Sequence, residues 1–195
     1  VETGSGAPAA KRALRRQLLA HRAGRPAVER AAANRLLAKR ITARFAGLLV
    51  AAYVPVTDEP GLVEHLTLLR SRGARVLLPI VHGRHGALSW GWYDGPESLV
   101  AGPFGLLQPA TAATDYTPHD ADLVIVPALA LSPTGARLGR GGGFYDRALV
   151  GIARARTLGL VYDDELLDDV PTEPHDIEVG WVCTPSDLRR VVRRE

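Results

Sequence analysis

The chain is expected to be a three-layer α/β/α protein with a mostly parallel central sheet and an added edge strand or hairpin. Three observations carry that expectation. Several short runs are apolar on every side, as strands buried on both faces of a sheet must be. These runs alternate with segments of helical period, which places helices on the sheet. The 195 residues include 20 glycines and 14 prolines, which implies many tight connections between short elements.

Residues 8–25 read as a helix, with Pro8 near its start and Leu14, Leu18 and Leu19 on one stripe. A second helix spans 26–46 from Pro26, carrying Val28, Leu36, Leu37, Ile41 and Phe45. "LLVAAYVPV" (48–56) follows as a buried strand. "GLVEHLTLLRSRG" (61–73) is helical with a glycine stop, and "ARVLLPIV" (74–81) is the next buried strand. "ALSWGWYD" (87–94) alternates and reads as an edge strand or hairpin arm. The long connection 99–121 is rich in Pro and Gly without strong periodicity, a kind of segment that is often functional. "DLVIVPALAL" (122–131) is the most strand-like stretch, "FYDRALVGIAR" (144–154) a helix and "TLGLVY" (157–162) a strand. A last strand at 181–185 leads into a helix capped by Ser186.

Composition sets limits on function. With 46% apolar and 23% charged residues the chain is an ordinary globular one, and its length favours one domain, over 9–195. The start "VETGSGAPAA" has no basic stretch followed by an apolar core, and the chain has no Met. Residues 1–8 are therefore set apart as a disordered, trimmed or tagged start. The longest apolar run, 45–56, is too short to cross a bilayer. The lone Cys183 excludes an internal disulfide and any multi-cysteine metal site, which fits a reducing, cytoplasmic setting. Net charge is only +3, but arginines cluster in "KRALRR" (11–16) and "RRVVRRE" (189–195). Nucleic acid, a polyanionic small molecule or a plain solvated face could explain them.

The stretch "RLGRGGGFYD" (137–146) concentrates the candidate chemistry. It follows an apolar strand and precedes a helix, where glycines let backbone N–H groups approach phosphate oxygens. It fits neither the dinucleotide fingerprint, which would need Gly where Phe144 stands, nor a Walker A loop.

The whole segment "DLVIVPALALSPTGARLGRGGGFYDRAL" (122–149) resembles the signature of the 5-formyltetrahydrofolate cyclo-ligase family, with Phe144 for the first of two tyrosines. The resemblance extends over about 10–185 through three further segments. It implies that Lys11 and Arg15, on one face of the first helix, contact ATP together with Arg137, Gly139, Arg140, Gly141, Gly142, Gly143, Phe144 and Tyr145. "YVPVTDEP" (53–60) supplies Val54 and Glu59 for the folate, with Arg140, Gly141–Gly143 and Phe144 beside it. "VPTEPHDIEVGWVCT" (170–184) supplies Asp176, which with Asp146 would hold Mg²⁺. The chain departs from the family at Gly180, where many members have Asp.

The implied reaction is ATP-dependent closure of 5-formyltetrahydrofolate to 5,10-methenyltetrahydrofolate. Arg140 and Tyr145 are the expected catalytic residues, with Arg140 and the 141–143 backbone on the transferring phosphate and Arg137 supporting the loop. The expected partners are ATP and the folate, with no nucleic acid and no membrane, in a monomer. Simpler readings stand beside these for several residues. Arg137 could brace the loop, Tyr145 could be core, Asp58 could form a turn, and Trp90 and Trp92 read as core or edge packing. His82, His85 and His119 form no metal cluster in the sequence, and Cys183 reads as inert packing. Two other functions remain open on the sequence: a nucleic-acid-binding module using the terminal arginines, and a phosphosugar isomerase-like α/β protein.

Overall fold

The computed structural model describes residues 6–56, 58–83 and 86–192. Helices α1 (Gly6–Gly24) and α2 (Ala27–Phe45) are separated at Pro26, whose ring suits the residue just before a helix. Strand β1 (Leu49–Ala51), helix α3 (Val63–Ser71) and strand β2 (Arg75–Ile80) form a crossover unit, since β1 and β2 pair in parallel. Strand β3 (Ser89–Trp92) returns antiparallel to β2 and makes one edge of the sheet. A small hairpin, β4 (Leu99–Ala101) with β5 (Leu107–Pro109), follows.

The chain then recrosses to the other side of β1. Strand β6 (Leu123–Pro127) pairs in parallel with β1, β9 (Thr157–Leu160) with β6, and β10 (Trp181–Cys183) with β9. Strand β11 (Leu188–Arg190) closes the far edge antiparallel to β10. The seven-stranded order is β11-β10-β9-β6-β1-β2-β3. Strand order therefore reverses between β1 and β6, and a cleft opens beyond their carboxyl ends.

Burial follows the predicted periodicities. On one face, Leu37 and Ile41 of α2 and Leu66 and Leu69 of α3 pack on Val50, Val76, Leu78 and Ile125. A fully buried Leu such as Leu37 contributes about 1.5–3 kcal/mol relative to an exposed one. On the other face Ala51, Leu77, Val124 and Val182 meet Leu149 and Ile152. Helix α1 packs through Leu18 on Leu129, Leu138 and Val170. Val28 and Leu36, counted in the helical pattern of α2, remain exposed. Among the described residues no helix is long and apolar enough to cross a membrane.

Five local expectations are corrected. Helix α1 begins at Gly6, so residues 6–8 belong to the fold; Pro8 sits in the first turn, where its missing N–H costs no hydrogen bond. Residues 1–5 lie outside the described residues, as do 193–195 of the C-terminal arginine cluster. The strand expected over 122–131 breaks after Pro127, and Ala130–Leu131 (β7) instead pairs with Arg137–Leu138 (β8) in a separate two-stranded sheet. The helix expected over 144–154 covers only Phe144–Ala148 (α4), because the chain turns at Gly151 with φ +81°. Among the described residues no helix follows Ser186. Its N–H binds Asp163 Oδ1 at 3.1 Å, Thr184 and Asp187 close a tight turn, and the chain returns as β11. The 99–121 connection contains the β4–β5 hairpin rather than irregular chain alone.

Gly180 has a steric reason. A Cβ there would stand 2.1 Å from the Arg154 carbonyl oxygen, so no side chain fits while β9 and β10 pair as they do.

Candidate active site

A cavity of about 520 Å³ lies at the switch point between β1 and β6. Its apolar wall comes from Val54 and Val56 beyond β1, Pro79 and Val81 at the end of β2, and Leu106 and Leu107 of the hairpin. Its polar wall is the glycine loop, with Arg137, Arg140, Tyr145 and Asp146, faced by Glu59.

The turn after β1 fixes Glu59. Its N–H donates to the Val56 carbonyl at 2.9 Å, and its Oε2 accepts the Val56 N–H at 3.1 Å. Oε1 accepts from Arg140 Nε at 2.8 Å, while Arg140 Nη2 donates to Asp58 Oδ1 at 2.6 Å. Asp58, which reads in sequence as a turn residue, is thus an ion-pair partner of the loop.

In the loop itself Gly141 has φ +97° and Gly143 φ +65°, a region that favours glycine. Arg15 of α1 donates through Nε to the Gly139 carbonyl at 2.9 Å. Arg137 is almost fully buried; it donates to the Pro127 carbonyl at 3.3 Å and pairs with Asp146. These contacts match the loop-bracing reading of Arg137. Two polar atoms of the polar wall, the Tyr145 hydroxyl and Arg137 Nε, are buried without a hydrogen-bond partner among the described residues. Burial, followed by the nearby Glu59 charge, raises the Tyr145 phenol far above its ordinary range, so it is a neutral donor at every physiological pH.

Lys11 and Asp176, expected as a phosphate contact and a metal ligand, touch each other directly. Lys11, also buried, bonds Glu173 at 2.7 Å and pairs with Asp176. Burial would raise the Asp176 carboxyl, but hydrogen bonds from Lys11 and the Glu173 N–H prevail and hold it below its usual range. Oxygen or nitrogen ligand atoms of Glu173, His175 and Asp176 lie within 4.8 Å of one another. Lys11, Arg15 and Asp176 are not on the cavity wall; the other expected site residues are. Asp146 and Asp176 are held by different cations.

Other sequence candidates fall away from this centre. Trp90 is core, and Trp92 packs edge-on to Tyr116 at 5.0 Å beneath Arg75, so packing explains both. His82 bonds Ser89 and the His119 carbonyl accepts from Arg156, while His85 lies outside the described residues. Burial pushes the Cys183 thiol up to about 12, which leaves it unreactive. Sequence reasoning missed the hairpin wall of Leu106, Leu107 and Gln108, and the second carboxylate on Lys11, Glu173. The length of the 99–121 connection was the available signal for the first.

The fold and site define an α/β enzyme of the switch-point kind, with an apolar chamber bounded by a glycine–arginine loop. Comparison with known proteins makes this specific. The 5-formyltetrahydrofolate cyclo-ligase family profile matches residues 7–185, and the chain belongs to that family. The 5-formyltetrahydrofolate cyclo-ligase of Mycolicibacterium smegmatis is 46% identical over 149 residues, covering 73% of this chain and 76% of the relative. That of Escherichia coli K12 is 34% identical over 135 residues, covering 67% and 72%. The solution structure of Aquifex aeolicus 5,10-methenyltetrahydrofolate synthetase superposes with a TM-score of 0.81 at 26% identity, covering 95% of this chain and 94% of that one.

Proposed function

We propose that the protein converts 5-formyltetrahydrofolate to 5,10-methenyltetrahydrofolate with consumption of ATP, as a monomeric cytoplasmic enzyme whose single domain carries the whole reaction. The observation that carries this reading is the Arg140–Glu59 contact. It brings the arginine assigned to phosphate against the carboxylate assigned to folate, at the wall of an apolar chamber.

The formyl oxygen is a poor leaving group because water or hydroxide would have to depart. In the proposed course that oxygen attacks the γ-phosphorus of ATP, and the bond to ADP breaks. N10 then attacks the activated carbon. The C–O bond breaks with loss of phosphate, and the N10 proton passes to solvent. Such a transfer needs positioning and charge neutralisation more than covalent help.

The apolar wall with Val54 would take the pterin and aryl rings, and Glu59 would hold a ring N–H. Arg140 and the 141–143 backbone would bind the transferring phosphoryl group, with Lys11, Arg15, Arg137, Gly139 and Phe144 completing the phosphate surroundings. The neutral Tyr145 hydroxyl, which has no hydrogen-bond partner among the described residues, would donate to the formyl oxygen or to the phosphate formed from it.

Mg²⁺ fits the donors available. Asp146 on the cavity wall and Asp176 beside Glu173 offer the carboxylate oxygens this ion prefers, and these two aspartates would hold it in exchange for their present cations, Arg137 and Lys11. When bound, Mg²⁺ supplies neutralisation of phosphate charge.

The test is to mix protein, 5-formyltetrahydrofolate and MgATP and follow the absorbance of methenyl-folate. Product formation that requires ATP supports the proposal, and folded protein that makes no product overturns it. Asp146→Asn and Asp176→Asn should each raise the Mg²⁺ concentration needed for half-maximal rate by about tenfold. An unchanged Mg²⁺ dependence would remove that residue from the metal set.

A further inference from the structure

Among the described residues four arginines reach the loop between Gly139 and Gly143, and they are of two electrostatic kinds. Arg137 is neutralised by Asp146, and Arg140 by Asp58 and Glu59. Arg15 and Arg147 have no carboxylate partner among the described residues. Each instead donates to a loop carbonyl: Arg15 Nε to Gly139 O at 2.9 Å, and Arg147 Nη2 to Gly142 O at 3.5 Å. The second contact is long and is readily exchanged for a better acceptor.

The two guanidinium groups approach the loop from different elements, Arg15 from α1 and Arg147 from α4. Both lie close to the bare backbone of glycines. A Cβ on Gly141 would be 3.4 Å from Arg15 Cζ, and one on Gly143 only 2.8 Å from Arg147 Nη1. Neither arginine lines the apolar chamber, and Arg147 is exposed. Its guanidinium lies 5.3 Å from the centre of the Phe144 ring, which limits its freedom without neutralising it.

A polyphosphate carrying several negative charges gains most from cations that do not first have to leave a carboxylate. Guanidinium groups suit it further because they donate in pairs to phosphate oxygens. We propose that Arg147 is a polyphosphate-binding residue, forming with Arg15 a two-sided cationic clamp for the phosphate chain of a nucleoside triphosphate. The clamp stands at the glycine loop outside the chamber wall, so the nucleotide and the apolar substrate approach the loop from different directions. This inference rests on the reading that ATP is the co-substrate.

The test compares the intact protein with Arg147→Ala and Arg147→Lys, by equilibrium binding of MgATP and of inorganic tripolyphosphate and by steady-state kinetics. Arg147→Ala should weaken both ligands by roughly five- to twenty-fold, the scale of one charged hydrogen bond at an exposed position. KM for ATP should rise while kcat stays within about threefold and KM for 5-formyltetrahydrofolate is unchanged. Arg147→Lys, which keeps the charge, should recover most of the affinity. Unchanged binding of both ligands by Arg147→Ala overturns the clamp. So does a loss confined to folate KM, which would make Arg147 only a support for Phe144. Failure of the unsubstituted protein to bind MgATP overturns the ATP reading itself and the clamp with it, a result visible before any variant is made.

Discussion

Arg140 and Glu59, 81 residues apart in the chain, meet at 2.8 Å from Arg140 Nε to Glu59 Oε1 and tie the glycine loop to the turn after β1. Glu59 is nearly buried, whereas Arg140 keeps 41% of its side chain exposed. The arginine can therefore turn towards a ligand without the carboxylate moving, since the Val56 N–H still holds Glu59.

Arg140→Ala should lower the rate of ADP release in the presence of 5-formyltetrahydrofolate by about a hundredfold or more, the usual effect of losing one transition-state donor. Glu59→Gln should act mainly on KM for the folate. Near-normal turnover by Arg140→Ala would exclude Arg140 from the transferring phosphate.

Arg22 and Glu165 form an almost wholly buried pair, with two bonds of 2.7 Å between them and a third from Arg22 to the Ala128 carbonyl at 2.7 Å. Their side chains are 1% and 0% exposed. Arg22→Ala should cost about 3–5 kcal/mol in chemical denaturation, because it strands the Glu165 charge in the interior. The double change Arg22→Met with Glu165→Leu should be markedly less damaging. If the double variant is as unstable as the single one, the stranded charge is not the cause.

His65 sets an acid limit on stability. Burial pushes its imidazole from 6.5 down to about 4, against smaller upward pulls from the Asn34 backbone and Glu64. Between those values the unfolded chain binds the proton and the folded one does not. The contribution of His65 to folding is therefore fully present above about 6.5, falls with pH down to about 4, and levels off below. The slope should approach about 1.4 kcal/mol per pH unit in that window. Denaturation of His65→Gln across the same window should show a shallower decline; a parallel one would clear His65.

Gly180→Ala should lower the melting temperature, and Gly180→Asp should lower it further. The added Cβ meets the Arg154 carbonyl carbon at 2.7 Å and Ala155 Cα at 2.9 Å, both backbone atoms that cannot swing aside. Overpacking of this kind costs about 1–3 kcal/mol. An Ala variant melting with the parent protein would show that the β9–β10 connection yields freely.

The buried strands and amphipathic helices were legible because each announces itself within a few residues. The apolar runs became β1, β2 and β6, the strands read at 157–162 and 181–185 became β9 and β10, and the alternating run became the antiparallel edge β3. Errors fell where a local signal had two physical outcomes. Ser186 is a good helix cap, but Asp163 takes its N–H and the chain makes a hairpin instead. "FYDRALVGIAR" has helical spacing, yet Gly151 ends the helix early.

By itself the sequence determined the alternation of elements and the glycine–arginine loop, which are properties of spacing along the chain, and its resemblance to a known signature pointed to the family to which the chain belongs. Only the tertiary structure decided which charges face each other: Lys11 with Asp176, Arg137 with Asp146, Arg140 with Glu59. It also decided that Arg15 and Arg147 reach the loop with no carboxylate partner among the described residues. The physical reason is range. Periodicity and turn chemistry act between near neighbours in the chain, whereas charge pairing acts through space between segments that the reversal of strand order at β1 and β6 brings together.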